Sequence, residues 1–275
     1  MEQNNQYQTG GYAPYQGDPM MANQPQGYQQ QPIYQAPQDM PAYKDEEVSE
    51  MDLNYSVRKG FIVKTYGILL SQLAITCAFI CLSFIPAVKE MIKDNIHSPL
   101  IFSFLIVFVI VTIIVIIVFS CCRQTARTVP INYILLFSFT LCMSFYCLLF
   151  TSFFPAEYVI SAVLLTFGAT VGLTIYAAKT DTDFTFCDAF LFALLLIIIF
   201  SVILFFWVGY VVFYLIFGIL VYSLYIIYDT QLILGNKTFE YNVDDYCLAA
   251  LNLYIDIIYM FIKIIQSLGY SKGRN

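Results

Sequence analysis

Between Asp188 and Asp229 the chain runs for forty residues without a charged side chain. As a helix rising about 1.5 Å per residue, that interval would reach roughly 60 Å, twice the hydrocarbon thickness of a bilayer. It must fold back on itself. Trp207-Val208-Gly209-Tyr210 is the expected reversal, an interfacial aromatic pair around a flexible glycine. The rest of the chain agrees, because 59% of its residues are apolar and 12% charged, against about 25% charged in a typical globular protein. An enzyme dissolved in the cytosol is excluded.

Reading each uncharged interval as a crossing of about 20 residues predicts an all-α integral membrane domain over 56–271. Its seven transmembrane helices fall at about 65–87, 99–121, 131–153, 157–178, 187–207, 210–234 and 246–269. The last differs from the others because Asn252, Asp256, Lys263 and Gln266 interrupt it. Those groups must turn away from lipid.

Residues 1–55 are of another kind. The first 52 hold one base, Lys44, against eight acids, whereas the remaining 223 hold twelve bases and eleven acids. Up to about Pro41 the sequence is built of Gln, Pro, Gly, Asn and Tyr and cannot bury enough apolar surface to offset the entropy of ordering. A disordered tail is expected. It serves as a solvated spacer or, through its Tyr-Gln and Pro-Tyr-Gln fragments, as a docking segment for cytosolic proteins. No basic region followed by an apolar core opens the chain, so the first membrane helix is expected to act as the insertion signal.

Orientation follows from the basic residues near helix ends. Arg58, Lys59, Lys64, Arg123, Arg127, Lys179 and Lys237 fall on one side, and Lys89, Lys93, Lys272 and Arg274 on the other. The bias predicts a cytosolic N-terminus. It also places the glycosylation sequon Asn236-Lys237-Thr238 in the cytosol, so a glycan there would reverse the assignment. The eight cysteines lie in spans or at their edges and frame no disulfide scaffold; Cys77 and Cys81 share a helix face but lack further zinc ligands. His97 is the one histidine, which removes Ser-His and Cys-His catalysis. Neither a resident cofactor nor a nucleic-acid partner is expected.

Ionisable residues inside a membrane are costly enough to suggest function. Asp229, near the cytosolic end of the sixth expected helix, and Asp256, in the body of the seventh, sit on antiparallel neighbours joined by the short 235–245 connection. Two close carboxylates in a low-dielectric site do not both ionise readily, so they share a proton and titrate as a unit. Deprotonated, the same oxygens suit a hard cation such as calcium. Arg123, at the cytosolic end of the second span, is a candidate latch that supplies a counter-charge, or else snorkels to the interface. Asn252 lies one turn before Asp256 on the same face. Asp181, Asp183 and Asp188 precede or open the fifth span, where they cap the helix or gather cations at a cytosolic mouth.

Several segments together resemble a known family. They are Val57-Arg58-Lys59-Gly60-Phe61-Ile62-Val63-Lys64-Thr65-Tyr66, Lys179-Thr180-Asp181-Thr182-Asp183-Phe184-Thr185, Asp229-Thr230-Gln231-Leu232-Ile233-Leu234-Gly235-Asn236-Lys237 and Ala249-Ala250-Leu251-Asn252-Leu253-Tyr254-Ile255-Asp256-Ile257-Ile258. Over about 56–270 the chain is similar to the Lifeguard proteins, the glutamate-receptor-associated branch of the transmembrane Bax-inhibitor-motif family. The resemblance implies six helices around a central seventh, residence in the Golgi, ER or plasma membrane, calcium leak and suppression of apoptosis. It also implies that Asp229 and Asp256 form a pH-sensing pair, latched by Arg123. Val63 departs from the family's opening motif, which usually carries a base there.

Two other readings compete. Presenilin-type intramembrane proteases also place a Tyr-Asp on one helix and an aspartate on the next, and Tyr228-Asp229 fits the first half. Asp256 lacks the Gly-x-Gly before it, and no Pro-Ala-Leu follows. The chain is therefore expected not to be an enzyme. The other reading is a non-transporting membrane adaptor that acts through its tail.

Overall fold

The computed structural model describes residues 50–186, 194, 196–200, 202 and 210–273. Nearly all of the expected tail, the greater part of the fifth expected span with its reversal at 207–209, and Asp188 lie outside the described residues. Helices make up the fold, and among the described residues there is no strand.

The first helix, α1 (Glu50–Leu82), differs from its expected span at both ends. It starts at Glu50 rather than near 65, because Arg58, Lys59 and Lys64 mark where the helix leaves hydrocarbon and not where it stops being helical. Its C-terminal end is also early. Ser83–Ile85 form a turn, and Pro86, which lacks an N–H and so suits the first helical position, starts the short α2 (Pro86–Asp94). Ser98 then caps α3 (Pro99–Cys121), its hydroxyl accepting from the Ile101 N–H at 3.4 Å. Cys122, with φ −110° and ψ 57°, breaks the rod before α4 (Arg123–Arg127). The remaining helices whose bounds lie among the described residues are α5 (Ile131–Thr151), α6 (Ala156–Lys179), α7 (Tyr210–Leu234) and α8 (Tyr246–Gly273).

Six of these helices, α1, α3, α5, α6, α7 and α8, are long and apolar enough to cross a membrane. They differ in what surrounds them. In the apolar window of α8, 72% of residues are buried within the protein, against 6% in α3. Thus α8 is the inner helix, packed by α1, α5, α6 and α7, while α3 rests on α5 and turns most of its surface outward. Exposed Leu100, Phe102, Ile110 and Ile117 suit α3 to lipid.

Where helices meet inside, several polar groups are paired. Gln72 on α1 donates to the Thr140 hydroxyl on α5 at 2.8 Å, and Thr76 bonds both Ser144 at 2.9 Å and the Tyr254 hydroxyl of α8 at 2.8 Å. Such bonds between membrane helices contribute about 0.6 kcal/mol each, so their main effect is to fix rotation and register. The Lys64 ammonium lies over the Tyr246 ring, 3.3 Å from its centroid, tying α1 to the start of α8.

Candidate functional site

The site is built where α7 ends and the chain turns back into α8. Gly235 adopts φ +68°, the left-handed conformation that lets a helix stop without a Cβ clash, and its N–H bonds the Gln231 carbonyl at 3.0 Å. The loop then folds back along the last turn of α7, so that the Tyr241 N–H reaches the Leu232 carbonyl at 3.0 Å. Arg58 of α1 holds this fold from outside. Its guanidinium donates to the carbonyls of Tyr241 at 2.6 Å and Leu232 at 2.5 Å, and Glu240 lies 3.6 Å away. A Cβ at position 235 would sit 2.4 Å from the Arg58 Cζ, so the glycine is needed both for its φ and for this approach.

With the loop pinned, the Tyr241 hydroxyl donates to Asp229 Oδ1 at 3.1 Å and accepts from Asn252 Nδ2 at 2.8 Å. Burial first, then the charge of Asp229, pushes this phenol well above its usual range, so it remains a donor at any ordinary pH. Asp256, one turn beyond Asn252, brings its carboxyl within hydrogen-bonding reach of Asp229. Both are buried, at 5% and 7% exposure. Asp256 Oδ2 meets no donor. An ionised carboxylate only accepts, so contact between the two is satisfied when one of them carries a proton. The group lines a cavity of about 420 Å³ together with Tyr225, Tyr228, Leu232 and Ile255.

Counted from the loop, Asp256 is about five residues, roughly 8 Å, further along its helix than Asp229. The contact between the two carboxyls therefore requires α8 to begin beyond the level at which α7 ends.

Of the other residues singled out from sequence, Asn252 joins the site through Tyr241. Asp183 is bonded nearby in a different role. Its carboxylate accepts from the Thr185 N–H and hydroxyl and the Phe186 N–H on one oxygen, and from the Thr238 N–H on the other. Partial burial acts to raise this carboxyl, but the donors of Thr185 and Thr238 outweigh it and hold the group well below the usual carboxylate range. It thereby joins the 180–186 segment to the 235–245 loop. Asp181 has an exposed side chain and contributes its backbone carbonyl to Lys237 Nζ at 3.1 Å.

Arg123 is exposed at the start of α4, and among the described residues no hydrogen bond or ion pair joins it to the two aspartates. The arginine that turns inward is Arg127, which grips Asp245 at the foot of α8 by two bonds of 2.6 and 2.7 Å. Its guanidinium is raised above its usual value chiefly by the bond to Asp245. No group of three or more His, Cys, Asp or Glu side chains suited to a metal occurs among the described residues. Sequence reading missed Tyr241, Arg127 and the carbonyl-binding role of Arg58. Only Arg58 carried a signal, as part of the opening motif.

Comparison with known proteins matches residues 58–273 to the family described as Bax1-I, inhibitor of apoptosis-promoting Bax1. Among curated proteins, the chain is 31% identical to Protein lifeguard 3 of Homo sapiens and 30% identical to that of Mus musculus, each alignment covering 94% of this chain and 88% of the relative. It is 32% identical to Bax inhibitor 1 of Schizosaccharomyces pombe over 78% of this chain and 77% of the relative.

Proposed function

Since the chain belongs to the Bax1-I family, in its lifeguard branch, and is a multi-pass membrane protein, we propose that it is a pH-sensitive calcium leak channel of Golgi or ER membranes. Through that leak it contributes to calcium homeostasis and to suppression of apoptosis, the second of which is the role the family is named for. The observation that carries this reading is the buried contact between Asp229 and Asp256 beneath Tyr241, at the edge of a cavity able to hold several waters.

With one proton shared, the pair is a closed contact between α7 and α8. Losing that proton leaves two like charges side by side in a poorly screened site, which repel and drive the helices apart at this end. The freed oxygens, with the Asn252 amide oxygen and cavity water, supply part of the six to eight oxygen ligands that calcium takes. That is a stepping place for a passing ion rather than a resident site. Seven spans, packed as six around α8 with the fifth in 187–207, complete the proposed channel, its N-terminus in the cytosol and its tail open to cytosolic partners. A latch made by Arg123 requires α4 to turn inward from the position described here.

Calcium flux into liposomes holding the purified protein, followed from pH 5 to 8, tests this reading. Wild type should give flux that rises as the pair loses its proton, and Asp256→Asn should abolish that dependence. Absence of flux above protein-free liposomes at every pH would favour the adaptor, with the aspartates reduced to polar contacts between helices. The same carboxyl pair is also the geometry of an aspartyl protease, and tight binding of a transition-state inhibitor of such proteases would transfer the site to catalysis.

A further inference from the structure

Lys263 is a cation inside a membrane helix, and nothing in the site above uses it. It is 8% exposed. Its stem lies in a notch that α7 leaves at Gly218, where a Cβ would come within 2.8 Å of Lys263 Cδ and 2.9 Å of Cε. Its ammonium stands over the Tyr214 ring, 3.5 Å from the centroid. Among the described residues no acid forms an ion pair with it. The one acid within 187–209 is Asp188, adjacent in sequence to the Asp183 segment.

Lys263 shares a seam with the acidic pair. Along the facing sides of α7 and α8, Asp229 and Asp256 occupy one end, Tyr222 stacked on Tyr259 at 5.4 Å the middle, and Tyr214 with Lys263 the other. Ser223, beside the stack, donates to the Met260 sulfur at 3.8 Å. Tyr214 precedes Asp229 by about four turns, roughly 22 Å along the helix. The cavity at the carboxylates stops short of Lys263, so an ion would follow the seam only where the Tyr222–Tyr259 stack parts, and it would then meet a fixed positive charge before it left the protein. At equal distance a divalent ion is repelled twice as strongly as a monovalent one.

Resting on the leak reading above, we infer that Lys263 is the residue that sets valence selectivity along the α7–α8 seam, holding calcium passage low relative to monovalent cations. The cation–π contact and the Gly218 notch keep the ammonium on the seam, where free snorkelling would carry it to the headgroups. Lys263→Met keeps the stem and removes the charge, and Lys263→Arg keeps the charge.

The test measures calcium and potassium flux in liposomes holding the full chain, at one pH where wild type is open. Lys263→Met should raise the calcium-to-potassium ratio at least tenfold, Lys263→Arg should retain the wild-type ratio, and Lys263→Gln serves as a second neutral variant where Met does not fold. Wild-type flux that is altered in Asp256→Asn, together with an unchanged ratio in every neutral variant that folds, overturns the role of Lys263 and leaves the leak standing. Absence of flux in wild type overturns both.

Discussion

Tyr241 joins two side chains through one oxygen, donating to Asp229 and accepting from Asn252. Tyr241→Phe leaves a carboxylate oxygen without its donor and an amide N–H without its acceptor, and buried groups left so cost about 1–3 kcal/mol each. Asn252→Ala removes the amide altogether while the phenol still donates to Asp229. Thermal unfolding in detergent should therefore show the larger loss for Tyr241→Phe, and equal losses would deny the hydroxyl its bridging role. The aspartates were legible in the sequence because charge inside an apolar interval stands out. Tyr241 was not, since it sits in a loop without periodicity and acts only because the chain returns to Leu232. Arg123 and Arg127 lie one turn apart on the same short helix, so their spacing does not tell which of them reaches α8; the bonds to Asp245 are made by Arg127.

At the level of elements, charge-free intervals located apolar helices because lipid admits few other segments, as between His97 and Arg123, which encloses α3. The same logic misplaced the start of α1, where bases ride on a helix that continues beyond the bilayer. That extension has a use: it carries Arg58 to the level of the 235–245 loop. Arg58→Met removes the bonds to the Tyr241 carbonyl of the loop and the Leu232 carbonyl of α7, and the neighbour of Glu240, while keeping an unbranched apolar side chain. The loop should loosen without loss of the helices. Limited trypsin digestion should cut at Lys237 several-fold faster than in wild type, and an unchanged rate would show that α8 and the 180–186 segment hold the loop unaided.

For the whole molecule, the end of the bundle at the acidic pair is closed by two segments laced together. Gln231 donates to the Thr182 carbonyl and accepts from the Phe184 N–H, Lys237 bonds the Thr180 and Asp181 carbonyls, and Asp183 reaches across to Thr238. Because Asp183 is lowered in the folded protein, its contribution is fully present above the unfolded carboxylate value of about 3.9 and is lost as pH falls towards its folded value. Hydrogen exchange at the Thr185 and Thr238 amides, corrected for intrinsic rates, should show constant protection from pH 7 to about 5 and a decline in stronger acid. Asp183→Asn should give weaker protection at pH 7 with no such decline.

This lacing also orders events in time. Arg58 emerges from the ribosome long before Leu232 and Tyr241, whose carbonyls it binds. Until the final hairpin is made, the guanidinium lacks those partners and Asp229 lacks its phenol. A nascent chain halted before Tyr241 therefore presents an unmated arginine and, once Asp229 has been made, a bare acid, both polar marks by which an unfinished membrane protein differs from a complete one. Closure of this end records that synthesis has passed Tyr241.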